Sequence, residues 1–204
     1  MEHALENDMS RARQRSASPG DVLQNNLGIG AAVGAIAFVV NYVLMYLFIE
    51  IDGVEGDQGW EFVGNVLYNA QFVSSEFSGG GTSVTVNYVT GSSSNAFFEA
   101  VLEEIAIGDT IPTFVYHLAP ILVLVAVGFF VAQQAQAMDI GSSVAAAVSI
   151  VPGTFLLSIL GVFLFETESS GTSGGPELMM GILLVGIVIP VVASAIGGAI
   201  ADQV

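Results

Sequence analysis

No cysteine and no lysine occur in this chain, and its basic residues beyond histidine are Arg11, Arg13 and Arg15. The missing cysteine excludes a disulfide scaffold, a thiol nucleophile, a cysteine-held zinc site and a lipid anchor on sulfur. Three arginines neutralise few phosphates, which argues against nucleic-acid binding. Charge of any sign is scarce: 11% of residues, against about a quarter in an ordinary soluble domain. Catalytic signatures are missing too. There is no HExxH, no P-loop and no GxGxxG before a helix. The apolar runs lack the two aspartates of an intramembrane aspartyl protease. We therefore expect no catalytic residue, no metal centre, no cofactor and no enzyme. Without an Asn-x-Ser/Thr sequon, N-glycosylation is not expected either.

What is present is hydrocarbon, at 53% of 204 residues. Crossing a bilayer core of about 30 Å takes roughly 20 mostly apolar helical residues. Four runs reach that length: 27–49, 111–132, 143–165 and 178–200. His117 is the one ionisable side chain within them. They are too long and uncharged for soluble core helices, and barrel strands would be shorter and alternating. The first run is also too long for a signal-peptide core, and its exit, Glu50-Ile51-Asp52-Gly53, lacks a small-x-small cleavage site. The expected fold is an all-α membrane protein, a four-transmembrane-helix bundle with a small acidic extracellular α+β cap.

Orientation follows from the arginines, which all precede the first run. Basic residues near a span stay cytoplasmic. Residues 1–26 then form a disordered cytoplasmic tail, 50–110 an extracellular cap, 133–142 a cytoplasmic loop, 166–177 an extracellular loop and 201–204 a cytoplasmic end. Apart from Asp139, Asp202 and those of the first 26 residues, every acid falls in 50–110 or 166–177. A net charge of -16 repels itself in dilute buffer. Molar salt removes that cost by shrinking the screening length to about 3 Å. Lysine-free, acid-rich, Gly/Ser/Thr-rich loops read as a halophilic archaeal composition.

The long external segment divides into parts. Asp52, Glu55 and Asp57 lie among Gly53, Gly56 and Gly59, where carboxylates on a flexible loop suit a hard cation. The spacing is not that of an EF-hand, and a solvated acidic linker is the ordinary reading. Trp60, Val63, Leu67, Ala70, Val73 and Phe77 recur at three- and four-residue steps, one helical face. That predicts an interfacial or bundle-capping helix, or a re-entrant segment, since Gly64, Asn65 and Asn69 interrupt it. Gly79-Gly80-Gly81 ends this helix. Val84, Val86 and Tyr88 alternate as a short strand whose partner is not visible. Asn95 then caps a helix to Ile107 with Phe98, Val101, Leu102 and Ile105 on its apolar side. Glu99 and Glu103 share its other face, as a cation contact or simply a wet surface.

Within the apolar runs, His117 lies seven residues into the second, roughly 10 Å from its end. It is a candidate proton or ligand contact, against a neutral structural histidine. Asn41 is the second polar candidate, against its use as interhelical glue. Pro120, Pro152 and Pro190 fall mid-run, where each removes a backbone donor. Broken helices can mark a transporter site. Gly30 and Gly34 form a GxxxG, Ala145, Ser149 and Gly153 line one face of the third run with Gly161 further along, and Ala193 and Gly197 line the fourth. Such stripes pack helices within a chain, or pair copies in a homo-oligomer.

The stretch Gly59-Trp60-Glu61-Phe62-Val63-Gly64-Asn65-Val66-Leu67-Tyr68-Asn69-Ala70-Gln71-Phe72-Val73 resembles a signature of an uncharacterised family of haloarchaeal multi-pass membrane proteins. The run Tyr116 to Gly128, with Pro120 and Gly128, is similar as well. The resemblance spans the membrane region and implies no activity. Three roles stay open: a structural or interaction protein of the cell membrane, a small channel or transporter component, and a sensor of lipid, salt or envelope state.

Overall fold

In the computed structural model, residues 18–54, 59–102, 105, 107–137, 139–169 and 171–204 are described. The three arginines, Glu55, Asp57 and Glu103 lie outside them. Helix α1 covers Pro19–Asp52, about 51 Å at 1.5 Å per residue. It starts eight residues ahead of the apolar run because a strong cap precedes it. The Ser18 hydroxyl accepts from the Asp21 amide at 3.3 Å, and the Asp21 carboxylate accepts from the Ser18 amide at 3.1 Å. Pro19 occupies the first helical position, where its missing N–H costs nothing. Gly53 ends the helix at φ 72°, a left-handed conformation that suits glycine.

Helix α4 covers Thr113–Gln134. Asp139 caps the third apolar helix, accepting from the Ser142 amide at 3.0 Å and its hydroxyl at 2.7 Å. That helix is interrupted: α5 covers Ile140–Val148 and α6 Val151–Leu164. Pro152 explains the break, since it offers the Val148 carbonyl no donor. The fourth combines α7 (Leu178–Met180), a π-helical segment over Gly181–Val188 and α8 (Ile189–Ala201). Pro190 leaves the Gly186 carbonyl without its usual partner. The Thr154 hydroxyl of α6 donates to that carbonyl at 3.1 Å. Four helices, Pro19–Asp52, Thr113–Gln134, Ile140–Leu164 and Leu178–Ala201, are therefore long and apolar enough to cross a membrane.

The small residues bring backbones together. A Cβ on Gly34 would overlap the Ile150 carbonyl, and one on Gly153 the Ala31 carbonyl. A Cβ on Gly30 would strike Ser149. Thus α1 lies against the α5–α6 junction, and Gly30, Gly34, Ser149 and Gly153 are buried inside the chain. Gly128 and Gly197 do the same between α4 and α8, facing Ser194 and Val125.

At one end of the bundle sits a head. It contains α2 (Trp60–Ala70), β1 (Ser75–Gly79), β2 (Thr82–Asn87), β3 (Ser92–Ser93), α3 (Ala96–Leu102), β4 (Thr167–Ser169) and β5 (Thr172–Pro176). The strands make one antiparallel sheet of order β3-β2-β1-β5-β4. The strand whose partner was not visible in sequence pairs with β1 on one side and β3 on the other. Val84 and Val86 pair with Phe77 and Ser75 of β1, and β1 pairs in turn with β5 from the other connection. The expected helical stripe over 60–77 ends early, at Ala70. There Phe72 turns the chain at φ 65°, so Val73 and Phe77 leave the helix. Of the helix expected from Asn95 to Ile107, Ala96–Leu102 is helical, while 103, 104 and 106 lie outside the described residues.

Candidate functional site

The junction between head and bundle concentrates the buried polar chemistry. Helix α2 enters the mouth of the bundle and is buried on every side from Val63 to Ala70. It touches all four long helices. Tyr42 of α1 donates to the Trp60 carbonyl at 3.1 Å. Tyr68 donates to the Ser158 carbonyl of α6 at 2.5 Å. Its ring also leans on Phe38 and Phe165, edge to face. On the fourth helix, a Cβ at Gly181 would sit 3.0 Å from the Tyr68 ring. Ala70 meets His117 of α4. Of the expectations for this segment, a purely interfacial helix is replaced by one wedged into the bundle.

An entirely apolar helix would leave the strands above it untied. Asn65 and Asn69 supply the ties. Asn65 donates to the Glu61 and Phe165 carbonyls at 2.9 and 3.0 Å and accepts from the Ser75 hydroxyl at 2.6 Å. Asn69 donates to the Val73 carbonyl at 2.8 Å and accepts from the Tyr88 amide at 2.7 Å. Buried and satisfied, these groups fix the register of β1 and β2 over α2. A pair of asparagines four apart on an apolar helix was the signal available in sequence. Their partners are up to 100 residues away.

Asp52 forms a second knot. It is 7% exposed at the end of α1, beyond the apolar run. Its carboxylate accepts from the amides of Gly108, Thr110 and Ile111 at 2.7, 3.0 and 2.6 Å, and from the Tyr116 hydroxyl at 2.8 Å. Burial alone would push this carboxyl up. The amides and the hydroxyl outweigh it and hold the group below the usual carboxylate range. Its acceptor positions are thus committed to the chain entering α4. Of the expected cation contacts, Glu99 is exposed on α3. Glu55, Asp57 and Glu103 lie outside the described residues. Among the described residues, no cluster of three histidine or acidic side chains is placed to hold a metal ion.

His117 is half-buried beside the wedge. Its Nδ1 lies 2.8 Å from the Ala70 carbonyl. A carbonyl only accepts, so Nδ1 carries the hydrogen of this bond. The Phe72 ring stacks on the imidazole at 4.6 Å and 5°. Holding Phe72 in the left-handed region costs about 1 to 2 kcal/mol, and this stack together with the turn bonds offsets it. Among the described residues no hydrogen bond joins the two polar candidates of the apolar runs: Asn41 lies on α1, a turn from Phe38 and Met45. It is 2% exposed, and its Oδ1 has no hydrogen-bond partner among the described residues. The interhelical bond expected of it is not made by that oxygen.

These features belong to a recognisable unit. Residues 9–204 match the model of a family of unknown function, DUF7978. The chain belongs to this family. The match covers both head and bundle of this DUF7978 protein. No curated protein and no solved structure matches it.

Proposed function

We propose that this DUF7978 protein is a multi-pass protein of the cell membrane with both termini cytoplasmic, and that it acts as a structural or interaction protein through its extracellular head. Support for the membrane comes from the bundle surface. Ile36, Val43, Leu122, Leu156, Leu160, Val192 and Ile196 are all exposed there. A water-facing apolar girdle of that extent would drive association. Trp60, Tyr46, Phe114 and Phe163, also exposed, supply the aromatic belt of an interface at the head end. Tail arginines on the cytoplasmic side supply the orientation, and the acid-rich head suits a salt-rich exterior.

The observation that carries the interaction role is the construction of the head. Both connections contribute strands to one sheet, and the wedge ties it to every helix. Such a surface is held rigidly relative to the bilayer. Its outward face presents Glu76, Ser78, Ser83, Thr85, Glu168 and Ser173, without a basic residue. A hydrophilic partner fits it better than an apolar one. The test is purification from native membranes of wild type beside Glu76→Arg and Ser83→Arg. We expect a partner retained by wild type and weakened about tenfold in the variants, roughly 1.4 kcal/mol, with an unchanged melting temperature. Identical retention by all three proteins would refute this face as the contact.

A transport role is the second reading, favoured by the unpaired Oδ1 of Asn41 inside the bundle. It predicts proteoliposome flux that falls in Asn41→Leu and His117→Ala. Flux unchanged in both variants would remove it.

A further inference from the structure

Helix α3 carries an apolar arc, three of whose four side chains no described part of the head covers. Phe97, Val101, Phe98 and Leu102 fall within about 140° at 100° per residue, with Glu99 outside the arc. Leu102 is buried, while Phe97, Phe98 and Val101 are 73%, 38% and 42% exposed. The two Phe rings pack edge to face at 5.8 Å.

The hydrogen bonds fix the height of this helix. Just before it, the Ser94 amide donates to the Thr85 carbonyl at 3.0 Å. Thr85 pairs with Glu76, the neighbour of Ser75, and Ser75 is bonded to Asn65 in the wedge. One strand residue rises about 3.3 Å, so Thr85 lies one short step above the mouth of the bundle. After α3, the Gly108 amide is bonded to Asp52 at 2.7 Å, where α1 ends. Both ends of the segment are therefore pinned at the base of the head. Phe72, next to the wedge, and Phe114, in the first turn of α4, are exposed at this same base, 57% and 65%.

We infer that α3 is an interfacial foot, inserting Phe97, Phe98 and Val101 into the outer leaflet beside the bundle. This rests on the membrane reading above. The bilayer is the occupant favoured by continuity with the girdle and belt.

Trp60 is the sole tryptophan, which permits a direct test. In a Trp60→Phe background, the full chain carries Phe97→Trp, Phe98→Trp or, as a girdle control, Leu122→Trp. Each is reconstituted into phosphatidylcholine vesicles with or without brominated acyl chains. We expect the two α3 tryptophans to lose about half their emission or more when bromine sits near the headgroup end, and to resist aqueous iodide. Iodide quenching without bromolipid quenching at both α3 positions, with Leu122→Trp still quenched by bromolipid, would overturn the foot alone. Shielding from both quenchers would assign the face to a protein partner or second copy, and overturns it equally. Failure at Leu122→Trp would instead bring down the membrane reading.

Discussion

Asp52 shows how one side chain can organise a chain reversal. Three amides and a phenol converge on its carboxylate, and hydrogen bonds to a charged group are each worth roughly 1.5 to 3 kcal/mol. Asp52→Asn keeps the size but replaces an acceptor oxygen with a donor facing amide hydrogens. We expect a loss of about 2 to 4 kcal/mol, read as a lower melting temperature in detergent. Tyr116→Phe removes one bond and costs about 1 to 2 kcal/mol. The pH dependence follows from the lowered native pKa. This contribution is complete above the unfolded carboxylate value, about 3.9, and is lost as pH falls from there through the lower native value. Acid titration of stability should therefore lose part of its slope below about pH 4 in Asp52→Asn; an unchanged slope would contradict this assignment. In sequence Asp52 looked like one of three loop carboxylates, because the amides that claim it lie more than 50 residues on.

At the scale of elements, the apolar helices were legible because run length against bilayer thickness is a one-dimensional test. The seams were legible as well, since glycine, alanine and serine at four-residue steps let helix backbones approach closely. The sheet was not. Its central strand, Ser75-Glu76-Phe77-Ser78-Gly79, and its neighbour, Thr172-Ser173-Gly174-Gly175-Pro176, have too few β-branched or alternating apolar residues to announce themselves. Gly174 is required there because the Phe77 ring occupies the space of a Cβ, a cross-strand fact that neither segment shows alone. The π segment was equally hidden. Proline signals a broken ladder, not how the freed carbonyl is repaired. Thr154→Val removes that repair and should cost about 1 to 3 kcal/mol. Combining it with Pro190→Ala, which restores a backbone N–H, should recover part of the loss in thermal unfolding. A double variant no more stable than Thr154→Val would show that Gly186 is satisfied another way. Gly153→Leu, which forces α1 from α6, should cost more than about 2 kcal/mol, visible as poor yield and a lowered melting temperature.

At the scale of the whole molecule, two connections that look independent in sequence fold into one head locked to one bundle, with Tyr68 at the centre of the lock. Tyr68→Ala leaves a cavity between α1, α2, α6 and the π segment and strips the Ser158 carbonyl of its donor. The expected loss is about 3 to 5 kcal/mol, and protease protection of head and bundle should fall together. Cleavage of the head alone would mean the two are not coupled. The most direct measurement of the account's central claim uses the absence of cysteine. Ser83→Cys in the head and Gln203→Cys beyond α8 are each treated, in sealed right-side-out cells, with a thiol reagent that does not cross membranes. The account predicts labelling of Ser83→Cys in intact cells and of Gln203→Cys only after lysis. The opposite pattern, or equal labelling of both before lysis, would contradict it.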